Sequence, residues 1–173
     1  MGRRLTPFTS PSARAAVFVV ASLPALAMLA ASLVQPVVGG DFGAALGRFL
    51  GYTCHRLPRR CLTLPWGLSG LCARCTAFWA GLGTGTAVTG ITGMGVRRPL
   101  DGLAMTAPMA LDGLLQAVGL YESLNAVRVA TGLAGGWGTG IMFVWLFCLL
   151  LERRFPARDR IRQTGRRARN RRA

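Results

Sequence analysis

GLAGGWGTGIMFVWLFCLLL, residues 132–151, runs without a charge into Glu152-Arg153-Arg154 and decides the fold class. A helix needs ~20 mainly apolar residues to cross the hydrocarbon core of a bilayer, and this stretch supplies that length. Three upstream runs repeat the pattern. The first covers about 15–38 and contains Pro24; the second covers about 76–96 and carries no charge; the third covers about 100–121 and holds Asp112 well inside it. Proline is tolerated in such helices where neighbours re-satisfy the freed carbonyl. The expected architecture is all-α: an integral membrane bundle of about four transmembrane helices, residues 1–151 forming one domain. The connection between the first and second spans, residues 39–75, is too rich in Arg, Cys, Pro and Gly to be a simple fifth span.

The charge distribution agrees with this. All 21 basic residues among the 173 are Arg, against six acids, for a net charge of +15, yet 51% of the residues are hydrophobic. Neither an ordinary soluble core nor a disordered basic protein combines these properties. Length and hydropathy also exclude a disulfide-stapled secreted mini-protein. Ten Arg fall in residues 152–173 against one Glu and one Asp, so an Arg-rich, disordered tail follows the last span. Such a tail beside a membrane suits anionic lipid headgroups, at ~1 kcal/mol per Arg near the surface, better than nucleic acid.

Arg3, Arg4 and Arg14 precede the first apolar run, as in a signal peptide, but that run exceeds the ~7–15 residues of a signal core and is read as an uncleaved span. With four spans, the N-terminus, the second connection (Arg97, Arg98) and the tail share one side, with fifteen Arg against six on the other. The bias toward cytoplasmic Arg places both termini of this multi-pass cell-membrane protein in the cytoplasm. Five of the other six, Arg48, Arg56, Arg59, Arg60 and Arg74, lie in the first connection, where topology does not want them.

Four of the five Cys and the only His fall within residues 54–75, CHRLPRRCLTLPWGLSGLCARC. Soft thiolate and imidazole donors brought together by tight turns make tetrahedral metal sites, and C-x-x-C is the usual half-site. Cys72 and Cys75 supply that half, and Cys54 and His55 supply the other, giving a Cys54, His55, Cys72, Cys75 set for a zinc-type ion. Adjacent residues of an extended strand point opposite ways, so the Cys-His dipeptide needs a bent backbone to offer both side chains; Cys61 is the substitute if one points away. Two disulfides, or a redox pair of Cys72 and Cys75 with Arg74 lowering a thiol pKa, are the competing readings. Cys148, inside FVWLFCLLL, reads as an apolar packing residue.

In the third span, Asp101, Met105, Pro108, Asp112, Gln116, Gly119 and Ser123 fall within ~40° of one helical line. An ionised side chain near mid-membrane costs at least ~2.5–3.5 kcal/mol, so Asp112 should face the bundle interior beside a partner: Gln116 one turn on, or Arg128, Arg74 or Arg56. Beyond it Glu122, Asn125 and Arg128 recur every three residues, placing Arg128 to answer Glu122 or Asp112. The candidate chemical residues are therefore Asp112, Gln116, Glu122 and Arg128, with a structural hydrogen-bond clamp as the alternative. In the second span, Gly81 and Gly85 allow close helix contact.

Together, Cys54-His-Arg-x-Pro-x-Arg60, Cys72-Ala-Arg-Cys-Thr76, Pro108-Met-x-x-Asp112-Gly-x-x-Gln116 and Glu122-Ser-x-Asn125-x-x-Arg128-x-x-Thr131-Gly132 resemble an uncharacterised prokaryotic family of small, predicted polytopic membrane proteins. The resemblance covers residues 51–132. Members usually have Gln where Arg56 stands and Ser where Cys61 stands, which favours Cys54, His55, Cys72 and Cys75 as the shared set. It implies no activity, but it does imply that the thiol segment and the Asp112 stripe form one functional unit. Two other functions remain open. One is a small proton- or ion-coupled transporter using the Asp112 stripe, which with so few spans requires a homo-oligomer; the other is thiol-disulfide exchange through Cys72 and Cys75.

Overall fold

The protein is described from a computed structural model that covers residues 11–92 and 99–154. The chain is mostly helical. Helix α1 (Pro11–Val34) leads through a turn of 3₁₀ helix at Gln35–Val37 into α2 (Gly40–Gly51). A second 3₁₀ turn, Pro58–Arg60, opens a hairpin of β1 (Cys61–Leu64) and β2 (Gly67–Cys72). Helices α3 (Ala73–Thr92), α4 (Pro99–Ala117) and α5 (Asn125–Arg154) complete the order. The expected disordered tail lies outside the described residues beyond Arg154, as do Arg3, Arg4, Arg97 and Arg98.

One correction concerns the first connection. It is neither a loop nor purely helical, so the all-α expectation gives way to a helical protein with a small antiparallel sheet. Helix α2 carries Asp41 in its first turn and Arg48 in its last, matching the helix dipole at both ends. In the hairpin, Thr63 pairs with Leu68 and Leu64 with Gly67 around Pro65-Trp66, and Cys61 pairs with Cys72 across an irregularity that twists the strands. The tip is tied to α1, because the Trp66 indole donates to the Leu33 carbonyl at 3.0 Å. The root is tied as well: Ser32 Oγ lies 3.0 Å from Thr76 Oγ1 and accepts from the Leu71 N–H at 3.1 Å.

Helix α5 is central, packed along both α3 and α4, while α1 packs on the other side of α3. Glycine explains how close these helices come. A Cβ at Gly81 would lie 2.3 Å from the Leu133 carbonyl oxygen, one at Gly136 2.1 Å from that of Phe78, and one at Gly132 2.4 Å from that of Arg74. Gly138 faces Gly102 on α4 in the same way, at 2.3 Å. Small residues on facing helices let the backbones meet at these points.

Among the described residues one helical segment, Asn125–Phe147 of α5, is long and apolar enough to cross a membrane by length and composition; a shorter apolar helical stretch covers Ser22–Val37. The third expected span is shortened: α4 ends at Ala117 rather than 121. Gly119 takes φ +73°, its N–H bonds the Gln116 carbonyl and the Leu120 N–H bonds that of Leu115, the two reverse bonds of a Schellman stop. The chain then turns at once into α5.

The glycine seam makes a test. Gly136→Ala should lower stability in mild detergent by about 1–3 kcal/mol, because its methyl meets backbone rather than a side chain that can yield. Gly51→Ala, with no atom within 4 Å, should change it by less than about 0.5 kcal/mol. Equal losses at both positions, measured by denaturant titration, would refute the seam.

Candidate metal centre and polar cluster

Three sulfurs converge at the root of the hairpin. Cys54 follows α2, Cys72 ends β2 and Cys75 lies in the first turn of α3; their Sγ atoms lie within 4.8 Å of one another. Met28, Leu50 and Leu71 are buried with Cys54, and Trp79 packs against them, so the group has an apolar wall. The backbone also points at it: the N–H groups of Cys72 and Arg56 donate to Cys54 Sγ at 3.4 and 3.5 Å. The second of these contacts uses Arg56 at φ +51°, the left-handed conformation that non-glycine residues rarely adopt.

This geometry favours one negative charge held on Cys54. Hydrogen bonds from the Cys72 thiol, then from the Cys75 thiol, hold its pKa well below the ordinary thiol range, and the two backbone N–H groups add to the effect. Cys72 is pushed up, first because its own S–H is held by Cys54. Burial pushes Cys61 up, helped by negative charge at Cys54.

His55, expected as the fourth ligand, is exposed and outside the sulfur group. The physical reason is the alternation that makes a Cys-His dipeptide awkward: with Cys54 turned inward, the next side chain turns out. Cys61 is buried but also outside the group, and its thiol approaches the Leu57 carbonyl at 3.4 Å.

The polar residues form a second, adjoining cluster. Asp112 on α4 is 5% exposed and is held from two sides, by the Arg74 guanidinium through Oδ2 and the Tyr121 hydroxyl through Oδ1. The Gln116 amide donates to the Asp112 backbone carbonyl at 3.0 Å and to Ser123 Oγ at 2.8 Å, while its carbonyl accepts from Arg128 at 3.2 Å. Arg128 also donates to Asn125 Oδ1 at 2.9 Å and lies 3.8 Å from Glu122. The link to the thiol hairpin is Asn125, whose amide donates to the Cys61 carbonyl at 3.2 Å.

Of the three cations that sequence offers to Asp112, Arg74 is therefore the partner, while Arg128 serves Gln116, Asn125 and Glu122. Arg56 goes elsewhere, donating to the Gly47 carbonyl at 2.8 Å. Only the C-terminal half of the polar line turns inward: Asp112 and Ser123 are buried, whereas Asp101 and Pro108 are exposed. Because α4 stops at Ala117, Ser123 reaches the cluster from the turn and not along the helical line. Tyr121 carries no sequence signal beyond an aromatic near a span end, yet it closes one side of Asp112.

A buried ion pair is costly to break and cheap to replace as a unit. Asp112→Asn should destabilise the protein by about 3–5 kcal/mol, since it strands the Arg74 charge. The double variant Asp112→Leu, Arg74→Met should recover most of that loss. A double-mutant cycle in detergent showing no coupling would remove the pair from the structural account.

A family model described as "Predicted membrane protein (DUF2085)" matches residues 54–142, from the first thiol of the sulfur group through most of the α5 apolar segment. An uncharacterized protein of Methanothermobacter thermautotrophicus is 30% identical over 103 residues, covering 58% of this chain and 93% of its own. Another, from Methanocaldococcus jannaschii, is 26% identical over 111 residues, covering 59% of this chain and 68% of its own. No solved structure matches. With its matched region holding both the three-sulfur group and the polar cluster, the chain belongs to the DUF2085 family of predicted membrane proteins.

Proposed function

We propose that this protein is a multi-pass membrane bundle in which Cys54, Cys72 and Cys75 hold a soft divalent ion of zinc type, beside a polar site of Asp112, Gln116, Glu122 and Arg128. The observation that carries the reading is the convergence of three sulfurs within 4.8 Å. A tetrahedral ion with Zn–S bonds of ~2.3 Å requires sulfurs ~3.8 Å apart, within reach of small side-chain rotations. Thiolates suit zinc better than magnesium or calcium, and backbone N–H groups aimed at sulfur are the outer-shell support such ligands use. Three protein ligands leave the fourth position to water or substrate, the pattern of sites that do chemistry. Asp112, already saturated by Arg74 and Tyr121, fixes charge at this site rather than moving protons.

The four-span reading draws support from lengths and outer faces. Helices α1, α3 and α4 have 24, 20 and 19 residues, ~28–36 Å at 1.5 Å per residue, against a hydrocarbon core of ~30 Å. Leu23 and Leu26 on α1 and Leu103, Leu111 and Leu114 on α4 are exposed, as lipid-facing residues are. With spans at α1, α3, α4 and α5, both termini fall on the cytoplasmic side by the Arg bias, and the sulfur group faces the opposite side.

Metal analysis of protein purified with zinc should give about one ion per chain. Ser at Cys54, Cys72 or Cys75 should abolish binding, whereas His55→Ala and Cys61→Ser should retain it. A metal-free wild type, or loss only with His55→Ala, would sink the three-sulfur site.

The pH dependence has a definite sign. The hydrogen bonds at Cys54 favour its thiolate, so an arriving ion displaces the protons of Cys72 and Cys75. Zinc added to the apo-protein at pH 7 should release about two protons, and affinity should rise with pH. Release of three protons, read in weak buffer, would count against a pre-formed Cys54 thiolate.

A further inference from the structure

Three guanidinium groups converge on one carboxylate oxygen at the hairpin end of the bundle. Arg59 Nε and Arg60 Nη2 each lie 3.3 Å from Glu122 Oε1, and Arg128 Nη2 lies 3.8 Å from the same atom. Three positive charges against one leave an excess of +2, and Arg74 beside them is already neutralised by Asp112. The Arg128 side chain is only 4% exposed, so its charge is carried where charge is most costly. A structural ion pair needs one arginine; two more on a single oxygen are the arrangement of a site for an anion of higher charge.

We propose that Arg59, Arg60 and Arg128 form a binding site for a phosphate group carried on an amphiphile, with the Glu122 carboxylate as an internal occupant that the phosphate displaces. Guanidinium forks match the tetrahedral oxygens of a phosphate, and several forks are needed to neutralise its charge. The surroundings specify the rest of the ligand. Leu120 and Leu124, which flank Glu122 along the turn that carries it, are 72% and 74% exposed and add apolar surface to that turn. A phosphate beside apolar surface at the end of a membrane bundle fits a lipid with a terminal phosphate headgroup. Glu122 is 49% exposed and reaches the arginines from a turn, not from inside a helix, so displacing it leaves the helices in place. The choice of a lipid over free phosphate rests on the membrane reading; the anion site itself does not, nor does it depend on the metal.

The test is calorimetric titration of the full chain in neutral detergent with dihexanoyl phosphatidic acid, dihexanoyl phosphatidylcholine and inorganic phosphate, with zinc content measured on the same samples. Phosphatidic acid should bind at about one per chain, and phosphatidylcholine should not. Arg59→Gln together with Arg60→Gln should weaken phosphatidic acid by about tenfold or more, and Glu122→Gln, by removing the internal competitor, should strengthen it by a similar factor. Arg59 is 68% exposed, so its single substitution keeps the fold and should weaken binding in the same direction. Inorganic phosphate binding as tightly, with the same dependence on these residues, would support the anion site and assign it to free phosphate. Binding of neither anion, equal binding of phosphatidylcholine, or affinities unmoved by the Arg and Glu122 substitutions would overturn the proposal. Arginine-dependent binding in zinc-free protein would leave it standing and overturn the metal reading alone.

Discussion

The close approach of α3 to α5 at Gly132 is the constraint on which the site depends. A methyl there would collide with the Arg74 carbonyl at 2.4 Å, so only glycine lets the first turn of α3 settle onto α5. That turn holds Arg74 and Cys75, and Cys72 precedes it. The same end of α5 holds Asn125 and Arg128. Further along, Gly138 draws α4 against α5, which sets Asp112 and Gln116 facing the same end. Helix packing without side chains thus delivers the polar and sulfur groups to one place, and the Schellman stop at Gly119 makes the return from α4 to α5 short enough to keep them there.

Once these groups are together, their energetics follow from poor solvation. A lone carboxylate or guanidinium in such a place is expensive, and each here is answered: Asp112 by Arg74 and Tyr121, Gln116 by Ser123 and Arg128, Arg128 by Asn125 and Glu122. Networks of this kind fail as units, because the loss of one member strands its neighbour. The Asn125 bond to the Cys61 carbonyl extends the same chain of dependence into the hairpin that carries the thiols.

The parts of this arrangement differ in how plainly the sequence announces them. The apolar runs and the Gly81–Gly85 spacing are periodic signals and mark helices and their contact face. Asp112 stands out because a charge in an apolar run demands a partner, and Arg74 was among the few cations in reach. The hairpin was hidden: CLTL and GLSGLC are short, and their pairing rests on side-chain ties to α1 through Ser32 and Trp66 that no local pattern encodes. For His55 the sequence states the condition but not the outcome: the Cys-His dipeptide serves one ion only if the backbone bends, and here Cys54 is buried while His55 is exposed. Tyr121 was invisible because its role depends on where α4 stops, and that stop is set by one positive φ at Gly119.

Charge conservation connects the sulfur group with the arginines around it. Before an ion arrives, the hydrogen bonds that Cys54 receives favour a single negative charge on the three cysteines, held at Cys54. On the proposed reading, a divalent ion with three thiolates also carries one negative charge, because two protons leave as two positive charges enter. The neighbouring guanidinium groups therefore meet the same net charge in either state. Loading need not rearrange the Arg74–Asp112 pair or the Glu122 cluster, and in a poorly solvated site such rearrangement would be the largest cost.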